Sequence, residues 1–437
     1  MSYSISTPLP RPEASRTLQL LLLTVAASAA VYARTTVSPL QEAMRVALEL
    51  SDNQIAMLQG PALAIPMIIA AIPLGLTVDR YSRVRLLLAF AMLNVAGSIL
   101  SAVVSSFSLL FLARSVVGIT TPATAMTALS IIADLYSPAA RGRANMIMAV
   151  GQVGGMSAAF GLGGALLSGS GTGVNGWRSS MLWMSVPLVV VMFLVLGTRE
   201  PVRKGAASVR LAGVKAFTEL WRYRAMLAPL LAGQVMVGMA DAAVLIWASP
   251  ALSRGFALPP DRVGSIMAMA LLVSGLAGPL AGGFLADLSQ RAGGPRLTII
   301  VLSGLSLLSV PAGLFAVTPN VAAAGALIVL FMTIGYAISV IAGTLFTVVI
   351  PNELRGLCIS VSVTASLLFC LGFAPVTVSL LSNVIGGPTM IGAALAIVCA
   401  AISLLGAAVF TVGRRHFPGS TGTDLARTWD TGPASGQ

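Results

Sequence analysis

Three ionisable side chains fall well inside the long apolar segments of this 437-residue chain: Arg34, Arg114 and Asp241. A charge placed in hydrocarbon costs several kcal/mol unless it meets a partner or water, so each marks a functional position by default. Two arginines can draw in the negative group of a substrate. One aspartate can balance an arginine while the site is empty, or carry a proton. The competing reading is a permanent salt bridge inside a helix bundle. Gln234 lies seven residues before Asp241 and shares its helical face, which adds a hydrogen-bonding group. Tyr32, Thr120, Thr121 and Gln152 are further polar candidates, although helix–helix contacts account for such residues equally well.

Other chemistries have no residues to carry them. Cys358, Cys370 and Cys399 all fall in apolar segments without a paired motif, so neither a disulfide nor a metal centre is expected. The one histidine, His416, follows the last apolar segment, and no histidine relay crosses the chain. The segments hold no His, Cys or paired-carboxylate constellation, and no nucleotide-binding loop is present. The expectation is therefore a protein that is not an enzyme, with no cofactor and no metal.

Composition dictates what must position the charged groups. Hydrophobic residues make up 57% and charged residues 9% of the chain, too little polar material to cover a soluble fold. Apolar runs of about 20 residues, enough to cross a bilayer, lie near 17–40, 54–77, 84–104, 107–133, 143–168 and 179–198. Six more lie near 225–251, 262–286, 296–316, 321–350, 357–384 and 388–413. The fold class expected is an all-α polytopic membrane protein, with twelve transmembrane helices in two six-helix bundles. Segments 1 and 7 then run one way and segment 4 the other, which sets Arg34, Arg114 and Asp241 in one layer toward the far side of the bilayer.

The net charge of +12 is distributed as in a membrane protein rather than a nucleic-acid binder. Basic residues gather in alternate loops, whereas the opposite loops hold only Arg45, Arg178, Arg254 and Arg262, partly offset by Glu42, Glu49, Asp52 and Asp261. The positive-inside rule places both termini in the cytoplasm. Residues 1–16 and 414–437 read as polar tails, 17–198 and 225–413 as the two bundles, and 199–224 as a basic linker. In that linker Leu211, Val214, Phe217, Leu220 and Trp221 recur at helical spacing. That pattern suits either a helix lying on the membrane surface or a plain charged connection.

The chain also repeats itself. Gly75-Leu76-Thr77-Val78-Asp79-Arg80-Tyr81-Ser82-Arg83-Val84-Arg85 is echoed by Gly283-Phe284-Leu285-Ala286-Asp287-Leu288-Ser289-Gln290-Arg291, with Asp79 and Asp287 separated by 208 positions. Ser137-Pro138-Ala139-Ala140-Arg141-Gly142-Arg143 is echoed by Ile350-Pro351-Asn352-Glu353-Leu354-Arg355-Gly356, with Arg141 and Arg355 separated by 214. Two loop pairs at nearly one offset imply a duplicated bundle, the symmetry of secondary transporters. Arg34 and Asp241, 207 apart, become near-equivalent positions of opposite charge.

Gly75, Asp79, Arg80, Arg83 and Arg85 resemble the loop between helices 2 and 3 of the major facilitator superfamily, and the resemblance extends over nearly the whole chain. It implies a cytoplasmic latch built from Gly75, Asp79, Arg80, Arg83, Arg85, Asp134, Arg141, Asp287, Arg291 and Arg355. The start of the fourth segment, Arg114, Gly118 and Pro122, is similar to the spinster-like and anion:cation symporter branches. Thr121 stands where those branches place an acidic residue, and Ala33 where they place an aspartate before Arg34. The fifth segment, with Gly151, Gly154, Gly155, Gly161, Gly163 and Gly164, partly resembles the glycine-rich motif of drug/proton antiporters.

The resulting expectation is a monomeric secondary transporter in a bacterial inner membrane. It would move a small organic anion or anionic amphiphile by alternating access, with Asp241 the one carboxylate available for proton coupling. The alternative is a drug or metabolite exporter whose cavity is lined by Met146, Met148, Met156, Met236, Met239, Met267 and Met269. A non-transporting receptor or membrane enzyme is a third possibility, disfavoured by the missing constellations.

Overall fold

The computed structural model describes residues 13–170, 176–201, 203 and 213–417, and every regular element among them is helical. The first half contains α1 (Glu13–Thr35), α2 (Val37–Ala47), α3 (Asp52–Gln59), α4 (Pro61–Arg80), α5 (Arg83–Val103), α6 (Phe107–Leu135), α7 (Pro138–Gly169) and α8 (Gly176–Val195). A linker helix, α9 (Gly213–Arg222), precedes the second half, formed by α10 (Arg224–Phe256), α11 (Pro260–Ala312), α12 (Val321–Val349), α13 (Asn352–Ser366), α14 (Ala374–Ile385) and α15 (Ile391–Gly413). Leu367–Phe373, between α13 and α14, is a π-helical stretch that keeps one continuous crossing.

Eleven helical runs are long and apolar enough to span a bilayer. One of them, α11, makes two crossings. It is broken by Gly293 and by Gly294, whose φ of 63° with ψ of −158° is a conformation only glycine adopts without strain. Twelve crossings in two bundles result, as the hydropathy pattern implies.

The first crossing departs from the expected 17–40 run. It gives way after Thr35, and α2 carries the chain on to Ala47. The Thr35 and Thr36 hydroxyls donate to the carbonyls of Val31 (2.9 Å) and Ala33 (2.9 Å). Threonines bonded back to their own helix in this way bend it. In the linker, Leu220 is buried while Phe217 and Trp221 are exposed and stacked at 6.3 Å. Part of the linker is thus helical; Leu211 of the motif lies outside the described residues.

Packing is unequal on the two sides of the bilayer. One apolar cluster joins both halves on the side away from the basic loops, from Leu40, Met44 and Trp177 through to Trp247, Phe315 and Ile391. On the basic-loop side there are two separate clusters. One contains Leu23, Leu87 and Ile132 of the first half, the other Leu230, Ile338 and Phe410 of the second. On the far side α7 and α11 touch backbone to backbone, since a Cβ on Gly164 would sit 2.5 Å from the Pro260 carbonyl oxygen and 2.9 Å from Gly264 Cα. Ser157 also donates to the Ala268 carbonyl (2.7 Å). Among the described residues, the two halves are therefore joined from mid-membrane outward and parted toward the basic loops.

Gly164→Ala should force these helices apart at a cost of about 1–3 kcal/mol, because the clash is with backbone that cannot rotate away. The check is labelling of single cysteines: reagents added on the far side should reach the interior more readily in the variant.

Candidate functional site

Arg114 lies on α6 with 1% of its surface exposed, directly behind the end of α1. Its Nη2 donates to the Arg34 carbonyl (2.5 Å) and its Nη1 to the Ala33 carbonyl (3.4 Å). These carbonyls sit at the C-terminal end of α1, where the backbone carries partial negative charge, and the Ala33 carbonyl is shared with the Thr36 hydroxyl. Arg114 therefore fixes the backbone of Arg34, and its side chain does not open toward solvent. Thr121 and Tyr32 serve the same packing. The Thr121 hydroxyl donates to Val117 (2.9 Å) and Ala30 (3.2 Å), and the Tyr32 hydroxyl to Met184 (3.0 Å).

Arg34 itself is half-buried, and among the described residues its guanidinium has no hydrogen-bonded or ionic partner. Asp241 on α10 is also half-buried, with Oδ1 sealed from solvent and unpartnered. The expected resting pair is not formed: no ion pair within 4.0 Å joins Asp241 to Arg34 or Arg114. Arg34 is held from behind by Arg114, and Asp241 is packed onto α12, where a Cβ on Gly335 would overlap its carboxylate. The next residue, Tyr336, is half-buried and within electrostatic range of both Arg34 and Asp241. Sequence reasoning missed Tyr336. It was open to detection, because Tyr32 and Tyr336 are the two tyrosines that stand in the middle of apolar runs. Gln152 is half-buried on α7, and Gln234 accepts from the Ser362 hydroxyl (3.2 Å) inside the second half.

The methionines do not form one lining. Met146 and Met269 are exposed, whereas Met148 and Met267 are buried in different clusters.

The far side carries an ionic network that joins the halves and that was read from the sequence only as loop charge. Arg254 at the end of α10 donates to Glu42 (2.7 Å) and forks onto Asp52 with two 2.8 Å bonds, while also reaching the Pro388 carbonyl (2.9 Å). Arg45 holds the other oxygen of Glu42 (2.7 Å). Nearby, Gln41 donates to the Ile246 carbonyl (2.6 Å) and accepts from Gln59, so α2, α3 and α10 are tied together.

The basic loops form their bonds within each half or to the linker. Arg83 pairs with Asp134 (2.5 Å) and with Glu200 (3.4 Å), and donates to the carbonyls of Ser130 (3.1 Å) and Pro201 (3.2 Å). Ser82 donates to Glu200 as well. Gly75 lies in the last turns of α4, as does Asp79, whose side chain lies outside the described residues. Arg80, Arg85, Asp287 and Arg291 are exposed. The duplication shows directly in the second loop pair, where Arg141 Nε donates to the Tyr136 carbonyl (3.3 Å) and Arg355 Nε to the Ile350 carbonyl (3.1 Å), each five residues back.

The Major Facilitator Superfamily model matches residues 23–373. The chain belongs to the major facilitator superfamily. No curated protein matches it. Among solved structures it is similar to a bacterial homologue of the human lysosomal transporter spinster in an inward-facing, unoccupied conformation. That likeness has TM-score 0.79 and 22% identity, covering 93% of this chain and 98% of that one. It is also similar to the nucleoside transporter NupG, with TM-score 0.72 and 13% identity over 90% and 99% of the two chains. A D-xylose–proton symporter gives TM-score 0.70 and 15% identity over 93% and 99%. At these identities the likeness establishes the fold. This major facilitator is a multi-pass membrane transporter and not an enzyme.

Two outcomes follow from the ionic contacts. Arg254→Ala leaves Asp52, whose side chain is 1% exposed, without its bidentate partner. It should cost about 3 kcal/mol, read as a lowered melting temperature, and Arg254→Lys should recover only part because it lacks the fork. At the linker, burial alone would raise the Glu200 carboxyl, but hydrogen bonds from Ser82 and Arg83 outweigh it and hold the group below its ordinary value of 4.5. A depressed carboxylate stabilises fully above that ordinary value and loses its contribution as pH falls through the lowered one. Protection of the linker from proteolysis should therefore fall on acidification below about 4.5, and Glu200→Gln should remove that pH dependence.

Proposed function

We propose that this major facilitator carries a small organic solute bearing an anionic group, which docks on Arg34 midway between the two halves. The supporting observation is a half-buried guanidinium in a membrane-spanning helix with no acceptor among the described residues, in a fold whose other half holds an Asp241 likewise unpartnered among them. An unsatisfied cation in that setting is held at a cost that an anionic ligand offsets. Arg114 acts as the positioning residue behind it, and Tyr336, Gln152 and Gln234 supply polar edges to the same region.

Positive loops face the cytoplasm of a bacterial inner membrane in this reading, with both termini on that side, so the described conformation is open inward. Alternating access then requires the Arg254, Glu42 and Asp52 network to separate while the Arg83 loop closes. Asp241 is the group through which a proton would couple to the cycle.

Transport of the solute into membrane vesicles tests this reading. Arg34→Gln should abolish uptake while leaving the melting temperature of the unliganded protein unchanged. Arg114→Ala should abolish uptake and also cost about 1–3 kcal/mol of stability through lost carbonyl partnering, read as a lowered melting temperature. Full uptake by Arg34→Gln would overturn the anion site. Asp241→Asn should abolish accumulation against a gradient while leaving exchange intact; unchanged accumulation would exclude Asp241 from coupling.

A further inference from the structure

We infer that the solute is a dipolar ion, with a cationic group for Asp241 as well as an anionic group for Arg34; this inference rests on the anion site above. Arg114 is engaged by the Ala33 and Arg34 carbonyls, so the half-buried charges left without a partner among the described residues are the Arg34 guanidinium and the Asp241 carboxylate. They do not pair with each other within 4.0 Å, and Tyr336, next to the Gly335 that seats Asp241, offers a hydroxyl able to donate or accept. A ligand with a single negative charge would satisfy Arg34 and leave Asp241 either a costly uncompensated ion or protonated, whereas a dipolar ligand gives both charges a partner.

The placement on opposite halves strengthens the argument. Arg34 belongs to α1, whereas Asp241 and Tyr336 belong to α10 and α12. The halves are parted toward the basic loops, where no hydrogen bond or ion pair among the described residues joins them directly. A dipolar ligand binds both halves at once and so favours the conformation in which they approach. A singly charged ligand grips one half by its charge and has less differential affinity for the closed form.

Matched triplets of compounds test this, each sharing one body and differing in charge: phenylalanine, phenylpropanoate and phenylethylammonium, and likewise α-aminodecanoate, decanoate and nonylammonium. The readout is the melting temperature of the purified protein, of Asp241→Asn and of Arg34→Gln. The expected result is that the dipolar member of at least one triplet raises the wild-type melting temperature more than its anion does. That advantage should be lost in Asp241→Asn, and all stabilisation should be lost in Arg34→Gln. The comparison within a triplet on the wild-type protein needs neither variant to fold. Equal stabilisation by anion and dipolar ion overturns the dipolar inference and leaves the anion site standing. Stabilisation by the cations alone, or by none of the six compounds, overturns both.

Discussion

The junction between α1 and α2 depends on one side chain. Where the first crossing bends after Thr35, the Ala33 and Arg34 carbonyls sit inside the membrane, and the guanidinium of Arg114 on α6 accepts the task of satisfying them. A helix end in hydrocarbon has no water to turn to, so Arg114 serves its carbonyls together with the Thr36 hydroxyl, which also donates to Ala33. The consequence reaches past stability. With its backbone held from behind, Arg34 presents its own guanidinium toward the second half, where Asp241 and Tyr336 lie.

The opposing side chain is placed by an absence. Gly335 leaves the space on α12 that the Asp241 carboxylate occupies, and any larger residue there would displace it. Arg34 and Asp241 are thus seated by different neighbours, Arg114 in one half and Gly335 in the other. Among the described residues the two opposite charges remain unpaired. Both charges border the apolar cluster shared by the two halves, which holds Tyr32 and Ala33 on one side and Ala240 and Ala243 on the other.

The halves are joined on one side only. Glycine contacts between α7 and α11, the shared apolar cluster and the Arg254 network all lie from mid-membrane outward. Toward the basic loops each half keeps its own core, and the motif arginines bond within their half or to the linker. The linker enters this arrangement through Glu200 and Pro201, which share Arg83 with Asp134. A movement that closed the basic side would have to rearrange that shared arginine and the far-side Arg254 together.

Composition and repetition alone determined the twelve crossings, the division into two halves and the three buried charges. Hydrocarbon tolerates little else, and a duplicated loop motif leaves its spacing in the chain. The sequence also sets Arg34 and Asp241 207 positions apart, close to the 208 of the repeated loop. It did not separate the two arginines, because one with its guanidinium on carbonyls and one half-buried without a partner among the described residues look identical in a hydropathy pattern. Nor did it reveal Tyr336, or that Arg254, Glu42 and Asp52 meet, since those partners come from residues about 200 positions apart. The pairing of distant loops, and which side of the membrane holds the halves together, are set by how the bundles dock. Docking depends on contacts between surfaces that no local pattern encodes, so only the tertiary structure decided them.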